Sequence, residues 1–289
     1  MYDVHRLRLL RELRLRGTLA SVGAALGYSP SAISHQLAVL EREVGVPLLE
    51  PVGRGVRLTA TADVLVGHAE AVLRELERAE AGVAASRGAV MGTVRIATFQ
   101  TAAHTIVPRA LAALTAQHPS LDVRFSHIDA PAAIPGLVAR EFDVVLSERY
   151  PGEPATPRAG VLTDELARDT LRLAVPDSWS GEALSDLADA PWIMEHVGTN
   201  ARAWSDAMCR GAGFEPRVAF ETADVLLHAQ LIDRGLAAGF LPDLVAARAG
   251  GIRLHDTGRS RMIESSVRAG SETSPAIAAV RAALHRAVA

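Results

Sequence analysis

The chain has 289 residues, 49% hydrophobic and 4% aromatic, and so predicts two or more folded units of mixed α and β structure, not one small domain or an all-β sandwich. A lone Cys209 excludes a disulfide framework or CxxC metal or redox motif, and arginines from Arg6 to Arg16 break every N-terminal apolar run, so a cytoplasmic protein with no signal peptide and no membrane partner is expected. The net charge of −3 is uneven, because residues 1–58 hold eight Arg against five Asp or Glu, net +3, which leaves −6 for the remainder, as a small nucleic-acid-binding head on an acidic body would.

Val4, Leu7, Leu10 and Leu13 share one face of a helix over 3–16, which Gly17 ends. Thr18 N-caps a second short helix that stops at Gly27. Ser29-Pro30 starts a third, with Ser as cap and Pro in the first turn, running through Ile33, Leu37 and Leu40 to about Val44. Three helices in this order make a helix-turn-helix, with a small three-helix interaction module as the bland alternative. Val46–Leu49 and Val56–Leu58 read as two short strands around Gly53-Arg54-Gly55, a wing.

From Thr59 to about Arg87 there is no Pro, and Ala62, Leu65, Ala69, Val72, Leu76, Ala79 and Val83 fall at heptad steps with Glu70, Arg74, Glu75, Glu77 and Arg78 elsewhere. Such a helix either caps its own domain or pairs with a second copy, and its two-sided polarity favours the homodimer. Residues 88–92 break it. Strands and helices then alternate: Val94–Thr98, a helix from about Ala103 to Gln117, Leu121–His127, a helix near Ala130–Arg140, and Val144–Ser147. After a loop at 150–160 come strands near Thr170–Val175, Trp192–Glu195, Val218–Glu221 and Ala238–Leu241, with helices near Asn200–Ala212 and Ala223–Arg234. A strand near Glu264–Arg268 and a helix near Pro275–Val288 return the chain to the first lobe. These are βαβ units with a parallel sheet, in two lobes with a cleft between them.

The order of parts, and Gly17-Thr18, Ala32-Ile33-Ser34, Leu40-Glu41, Gly45-Val46-Pro47-Leu48-Leu49 and Leu58-Thr59, resemble the LysR-type transcriptional regulators over essentially the whole chain. The stretch Glu221-Thr222 and Gly235 to Pro242 is similar, more loosely, to the family's effector domain. The resemblance implies an N-terminal all-α winged helix-turn-helix over 1–58, a linker and dimerisation helix over 59–88, and a bilobal α/β effector domain of periplasmic-binding-protein type over 89–289. Its lobe I is about 92–163 with 264–289, and lobe II about 164–263. It also implies a DNA-binding regulator that responds to a small molecule, assembled as homodimer and homotetramer, with the transcription machinery as a further partner and no cofactor.

In a helix-turn-helix the third helix enters the major groove, which turns Ser31, Ser34 and His35 toward the bases. The residues offered to double-stranded DNA are Thr18, Ser29, Pro30, Ser31, Ser34, His35, Arg54 and Arg57; Ser29 is as well explained as a cap, and a wing arginine as a solvated charge. Family members carry Ala-Ala at Val22-Gly23, Gln-Pro at Pro30-Ser31, and Arg at both His35 and Pro51, so readout rests more on Arg54, Arg57 and oligomer geometry.

The resemblance places an effector pocket at two strand-to-helix ends, where free N–H groups and the helix dipole favour an anion. These are Thr98-Phe99-Gln100-Thr101 and Glu195-His196 with Gly198-Thr199; Ser147, Glu148, Arg149, Thr222 and Phe240 add to the lining. A carboxylate-bearing metabolite is the expected ligand. Arg149 can pair with its carboxylate and Glu148 or Glu195 with an amine, as for an amino-acid-like zwitterion; the same charges can equally form a cross-lobe ion pair that sets closure. No phosphate-loop, dinucleotide, Gly-x-Ser-x-Gly or His-Glu-x-x-His pattern is present and the ten His are scattered, so no catalytic or metal site is expected. A transporter's solute-binding protein would share the lobes but not the head.

Overall fold

The structure, a computed structural model, describes residues 1–288 apart from 54, 87–89, 129, 181–182 and 247–249. The head is α1 (Val4–Arg16), α2 (Leu19–Leu26) and α3 (Pro30–Val44) followed by the hairpin β1 (Leu49–Val52) and β2 (Gly55–Leu58). Asp3, Thr18 and Ser29 cap the three helices through side-chain oxygens, and Gly17, Gly27 and Gly45 close them in the left-handed region. Leu9, Leu10, Leu13, Val22, Ile33, Leu37, Leu40 and Leu48 form the head's core. Gly23 is a steric requirement, since a Cβ there would lie 2.5 Å from the Tyr28 carbonyl oxygen in the turn. The first wing strand starts at Leu49 and not at Val46, because the Glu41 carboxylate accepts from both the Leu48 and Leu49 N–H groups and pins that segment to α3.

Helix α4 (Ala60–Ser86) leaves the head. The heptad stripe expected to face one partner is divided. Ala62 and Ala69 are buried with Val66 against the head, whereas Val72, Leu76 and Val83 stay exposed. A 3.6-residue helix drifts about 20° per heptad, so one stripe serves two surfaces in succession.

The body contains β3 (Gly92–Thr98), α5 (Gln100–Gln117), β4 (Leu121–His127), α6 (Ala130–Val138), β5 (Val144–Arg149), β6 (Val161–Pro176), β7 (Pro191–Met194), α7 (Asn200–Gly211), β8 (Arg217–Glu221), α8 (Val225–Asp233), β9 (Gly239–Pro242), α9 (Asp243–Ala246), β10 (Ile252–Arg268) and α10 (Pro275–Val288). One sheet has the order β4-β3-β5-β10-β6-β9, and β7 and β8 pair separately. The parallel arrangement expected throughout holds for β4-β3-β5 and for β7-β8; β10 and β6 pair antiparallel with each other, β10 with β5, and β6 with β9.

The largest departure is the length of β6 and β10, expected as short strands at Thr170–Val175 and Glu264–Arg268. They pair from Val161↔Arg268 to Pro176↔Ile252 and run through both halves of the body. Stretches such as Thr163-Asp164-Glu165 carry no apolar run, because they lie exposed and their pairing is satisfied by the partner strand. One core gathers around α5, α10, Ile96, Leu146 and Ile263; a second, around Trp192, Trp204 and Phe240, lies beyond the two long strands.

Candidate functional site

On the head, Ser31, Ser34 and His35 lie exposed along α3, opposite the buried Ile33, Leu37 and Leu40, as a 3.6-residue period requires. Ser29 Oγ accepts from the Ala32 N–H at 3.2 Å and lies 3.0 Å from Ser31 Oγ, so the cap and the first outward serine share one hydrogen-bonded unit beside Pro30. Thr18 Oγ1 accepts from the Ser21 N–H at 3.1 Å. Arg57 is exposed but held across the wing, its Nε 2.6 Å from Glu50 Oε1 in the register Glu50↔Arg57. Arg54 lies outside the described residues. Sequence alone gave no sign that Glu50 would occupy the wing arginine, since only the hairpin register sets them side by side.

In the body, the structure brings together Phe99, Glu148 and Glu195 and adds three residues the sequence did not single out: Tyr150, Asp169 and Arg261. Arg261 is 3% exposed and ion-paired to Glu148 and, at 2.7 Å, to Asp169; its guanidinium carbon lies 5.4 Å from the centroid of the Phe99 ring. Burial works against the Arg261 charge, but the surrounding Glu148, Tyr150 and Asp169 overcome it and hold the guanidinium charged, with its pKa raised. Burial pushes the Glu148 carboxyl up, against the pull of Arg261. Glu195, half-buried at the end of β7, is pushed up to about 7 by burial and by the Glu148 charge facing it. Tyr150 is buried between this cluster and the Trp204 ring, 6.1 Å away, and its hydroxyl is likewise pushed up by burial. An arginine in β10 looks in the sequence like its exposed neighbour Arg259, and only the pairing Arg261↔Asp169 reveals it.

Glu148 and Arg149 leave β5 on opposite sides. Arg149 is therefore not joined to the Glu148 cluster; its Nε donates to Glu264 at 2.7 Å and Glu165 lies 3.7 Å off. Ser147 is half-buried beside Glu264. His196 is likewise turned elsewhere, its Nδ1 2.9 Å from Glu221, which Arg202 also holds at 3.1 Å. Phe240 packs edge-on to Trp204, centroids 4.9 Å apart, within the second core.

The helix ends differ in what they have left to offer. At α7, Thr199 Oγ1 already accepts from the Arg202 N–H at 3.1 Å, beside exposed Gly198. At α5, Phe99 occupies the cap position and supplies no side-chain hydrogen bond, so the first-turn N–H groups around Gln100 and Thr101, next to buried Thr98, keep their capacity for an anion. Gln100 instead spans to α8: its Nε2 donates to Asp224 Oδ1 at 2.9 Å and its Oε1 accepts from the Val225 N–H at 3.0 Å. Thr222 Oγ1 accepts from the Asp224 N–H at 3.1 Å and completes that corner. Among the described residues no group of three or more His, Cys, Asp or Glu is placed to hold a metal ion, and no helix is long and apolar enough to cross a membrane.

Two family models match: a bacterial regulatory helix-turn-helix protein of the lysR family over residues 4–63, and a LysR substrate binding domain over residues 87–289. The regulator TcbR of Pseudomonas sp. (strain P51) is 29% identical over 260 residues, spanning 87% of this chain and 85% of that protein. The regulator GalR of Pseudomonas putida is 26% identical over the full length of this chain and 75% of its own. The crystal structure of CbnR, a LysR family regulator, superposes with a TM-score of 0.54 at 26% identity, covering 98% of this chain and 100% of that one. CbnR has also been solved in complex with its target DNA, with a TM-score of 0.54 at 25% identity and coverage of 99% of both chains.

Proposed function

The chain belongs to the LysR family of DNA-binding transcriptional regulators, with a substrate-binding effector domain behind the head, and from that membership we propose that it senses a small amino-acid-like molecule held between the lobes. The observation that carries this reading is the cluster in which Arg261 joins Glu148, on β5, to Phe99 at the uncapped start of α5, with Glu195, at the end of β7, within electrostatic reach of Glu148. Arg261 is already committed to Glu148 and Asp169, and Arg149 to Glu264, so neither guanidinium is left for a ligand carboxylate. The N–H groups of α5 supply that role, and the two facing carboxyls supply the complement for an ammonium. A plain carboxylate would meet the α5 dipole but also the Glu148 carboxylate and, above about pH 7, that of Glu195, which favours a ligand carrying both signs.

Binding acts on DNA only through differential affinity for two lobe arrangements. In this reading the closed arrangement repositions paired α4 helices, and hence the two heads that present Ser31, Ser34, His35, Arg54 and Arg57 to double-stranded DNA. The exposed Val72, Leu76 and Val83 supply the α4 homodimer seam, and further contacts between bodies supply the tetramer. The test is footprinting of the full-length protein on its operator with a panel of amino acids and matched simple carboxylates. A footprint that shifts with the zwitterions and not with the simple acids supports the proposal; one that no compound alters refutes it.

A further inference from the structure

Head, linker and body meet at a cavity of about 30 Å³ between α1, α4, the turn after α6 and the end of β10, apart from the lobe cleft. Its charge is out of balance. Arg8, Arg11, Arg74, Arg140 and Arg268 line it against only Glu70 and Glu77. Glu77 is spent, accepting from Arg268 at 2.8 Å and from Arg140 at 2.8 Å, and those two arginines are further matched by Asp143 and Glu80, so the excess rests with Arg8, Arg11 and Arg74 against Glu70. Arg8 turns to the Ala139 carbonyl.

Arg11 has no such outlet. It is 7% exposed, its Nε has no hydrogen-bond partner, and the nearest carboxylate, Glu12, stands 4.0 Å away and is already bound by Arg16 at 2.9 Å. Arg74, on the cavity's outer wall, forms no ion pair among the described residues. A buried guanidinium with an unused donor, in a pocket whose fixed charges sum to an excess of cation, lacks an acceptor that is itself anionic. Burial lowers the pKa of both Arg8 and Arg11; the Arg140 and Arg268 charges add to the effect at Arg8, while Glu12, Glu70 and Glu77 offset it only in part at Arg11.

We infer that this junction is a binding site for a compact inorganic oxyanion, phosphate or sulfate in kind, held by Arg11 and Arg74 and pinning the head to the linker and body. Chemistry sets the class: guanidiniums converging on a space of about 30 Å³ suit a compact anion with several acceptor oxygens. The site is independent of the lobe cleft, so its failure would leave the sensing proposal untouched.

The experiment is isothermal titration of the full-length protein with inorganic phosphate and, separately, sulfate, in a chloride buffer at constant ionic strength. One saturable site per chain is expected, displaced by chloride only at far higher concentration. R11Q should abolish the heat, and R74Q, at an exposed position that the fold does not need, should weaken binding at least fivefold. No saturable heat with either oxyanion overturns the inference; so does R74Q binding with wild-type affinity, and so does chloride competing on equal terms. Should R11Q fail to fold, R74Q alone decides.

Discussion

Arg268 at the end of β10 grips Glu77 in the middle of α4, Nε to Oε1 at 2.8 Å, with both side chains no more than 10% exposed. Arg268 also donates to Asp143 at 3.0 Å, and the turn it opens runs so close to α4 that a Cβ on Gly270 would lie 2.5 Å from the Arg74 carbonyl oxygen. The same strand carries Arg261, paired with Glu148 and Asp169, so one continuous β-strand has a buried arginine in that cluster and another at the linker helix.

Replacing Glu77 should therefore cost both stability and coupling. Glu77→Gln removes the charge that Arg268 and Arg140 share, at about 1–3 kcal/mol, below the full penalty of breaking a buried pair because Arg268 keeps Asp143. Chemical denaturation measures the loss. In the folded variant the operator footprint should respond less to a cleft ligand; an unchanged response would show that the signal leaves the body by another route.

Gln100 is the second mechanical prediction. Its amide both donates to Asp224 and accepts from the Val225 N–H, joining the start of α5 to the start of α8. Gln100→Ala removes both bonds, while Asp224 still caps α8 through the Leu226 and Leu227 N–H groups. Closure should weaken by about 1–2 kcal/mol. Amide exchange at Val225 should accelerate roughly tenfold while exchange at Leu226 and Leu227 stays near wild type. Equal acceleration at all three would mean that α8 itself had frayed.

These contacts mark where sequence reading stops. Helices α1 to α3 were legible because apolar period, caps and glycine stops all agree there, and the strand Leu121–His127 and the helix at Pro275–Val288 because their apolar spacing alone marks them. The strand-to-helix end at Thr199 was legible from its cap, whereas α5, expected from about Ala103, starts at Gln100 behind Phe99, which supplies no side-chain cap. Arg261 and Asp169 were not: each is a charged residue in a polar-looking stretch, and only the antiparallel register of β6 and β10 buries them as a pair. The opposite fates of Glu148 and Arg149 follow from strand alternation, but which side faces the cluster depends on what packs there. The division of the α4 stripe between head and solvent was hidden likewise, because heptad spacing is silent on which neighbour takes each turn.

Glu195 supplies a pH dependence with a definite sign. In the native protein its carboxyl keeps a proton up to about pH 7, whereas an unperturbed Glu ionises near 4.5. The native state thus binds the extra proton between those values, and the stability associated with it is present below about pH 4.5 and lost as pH rises to 7. Glu195→Gln removes this term. The variant should match wild type near pH 5 and be more stable at pH 8 by on the order of 1 kcal/mol, reduced from the full shift because the side chain is only partly buried. Thermal melts at the two pH values test it, and a difference of the same size at both would place the effect in packing instead of ionisation.

The wing offers the last test, because Arg57 enters any DNA complex already engaged. Its Nε lies 2.6 Å from Glu50, and the two side chains are 71% and 44% exposed, so the pair itself contributes little to folding. For Arg57 to reach a phosphate it must exchange that carboxylate for DNA, and Glu50 then sits as an unpaired anion beside the backbone. Glu50→Gln should leave the melting temperature within a degree or two and tighten operator binding severalfold at low salt, with the slope of log affinity against log salt steeper by about one. Arg57→Gln should do the reverse, weakening all sequences alike, since a phosphate contact positions the head without reading bases. If Arg57 instead reads the minor groove, Arg57→Gln would penalise A·T-rich flanks selectively, and measuring both variants on operators with exchanged flanks separates the two roles.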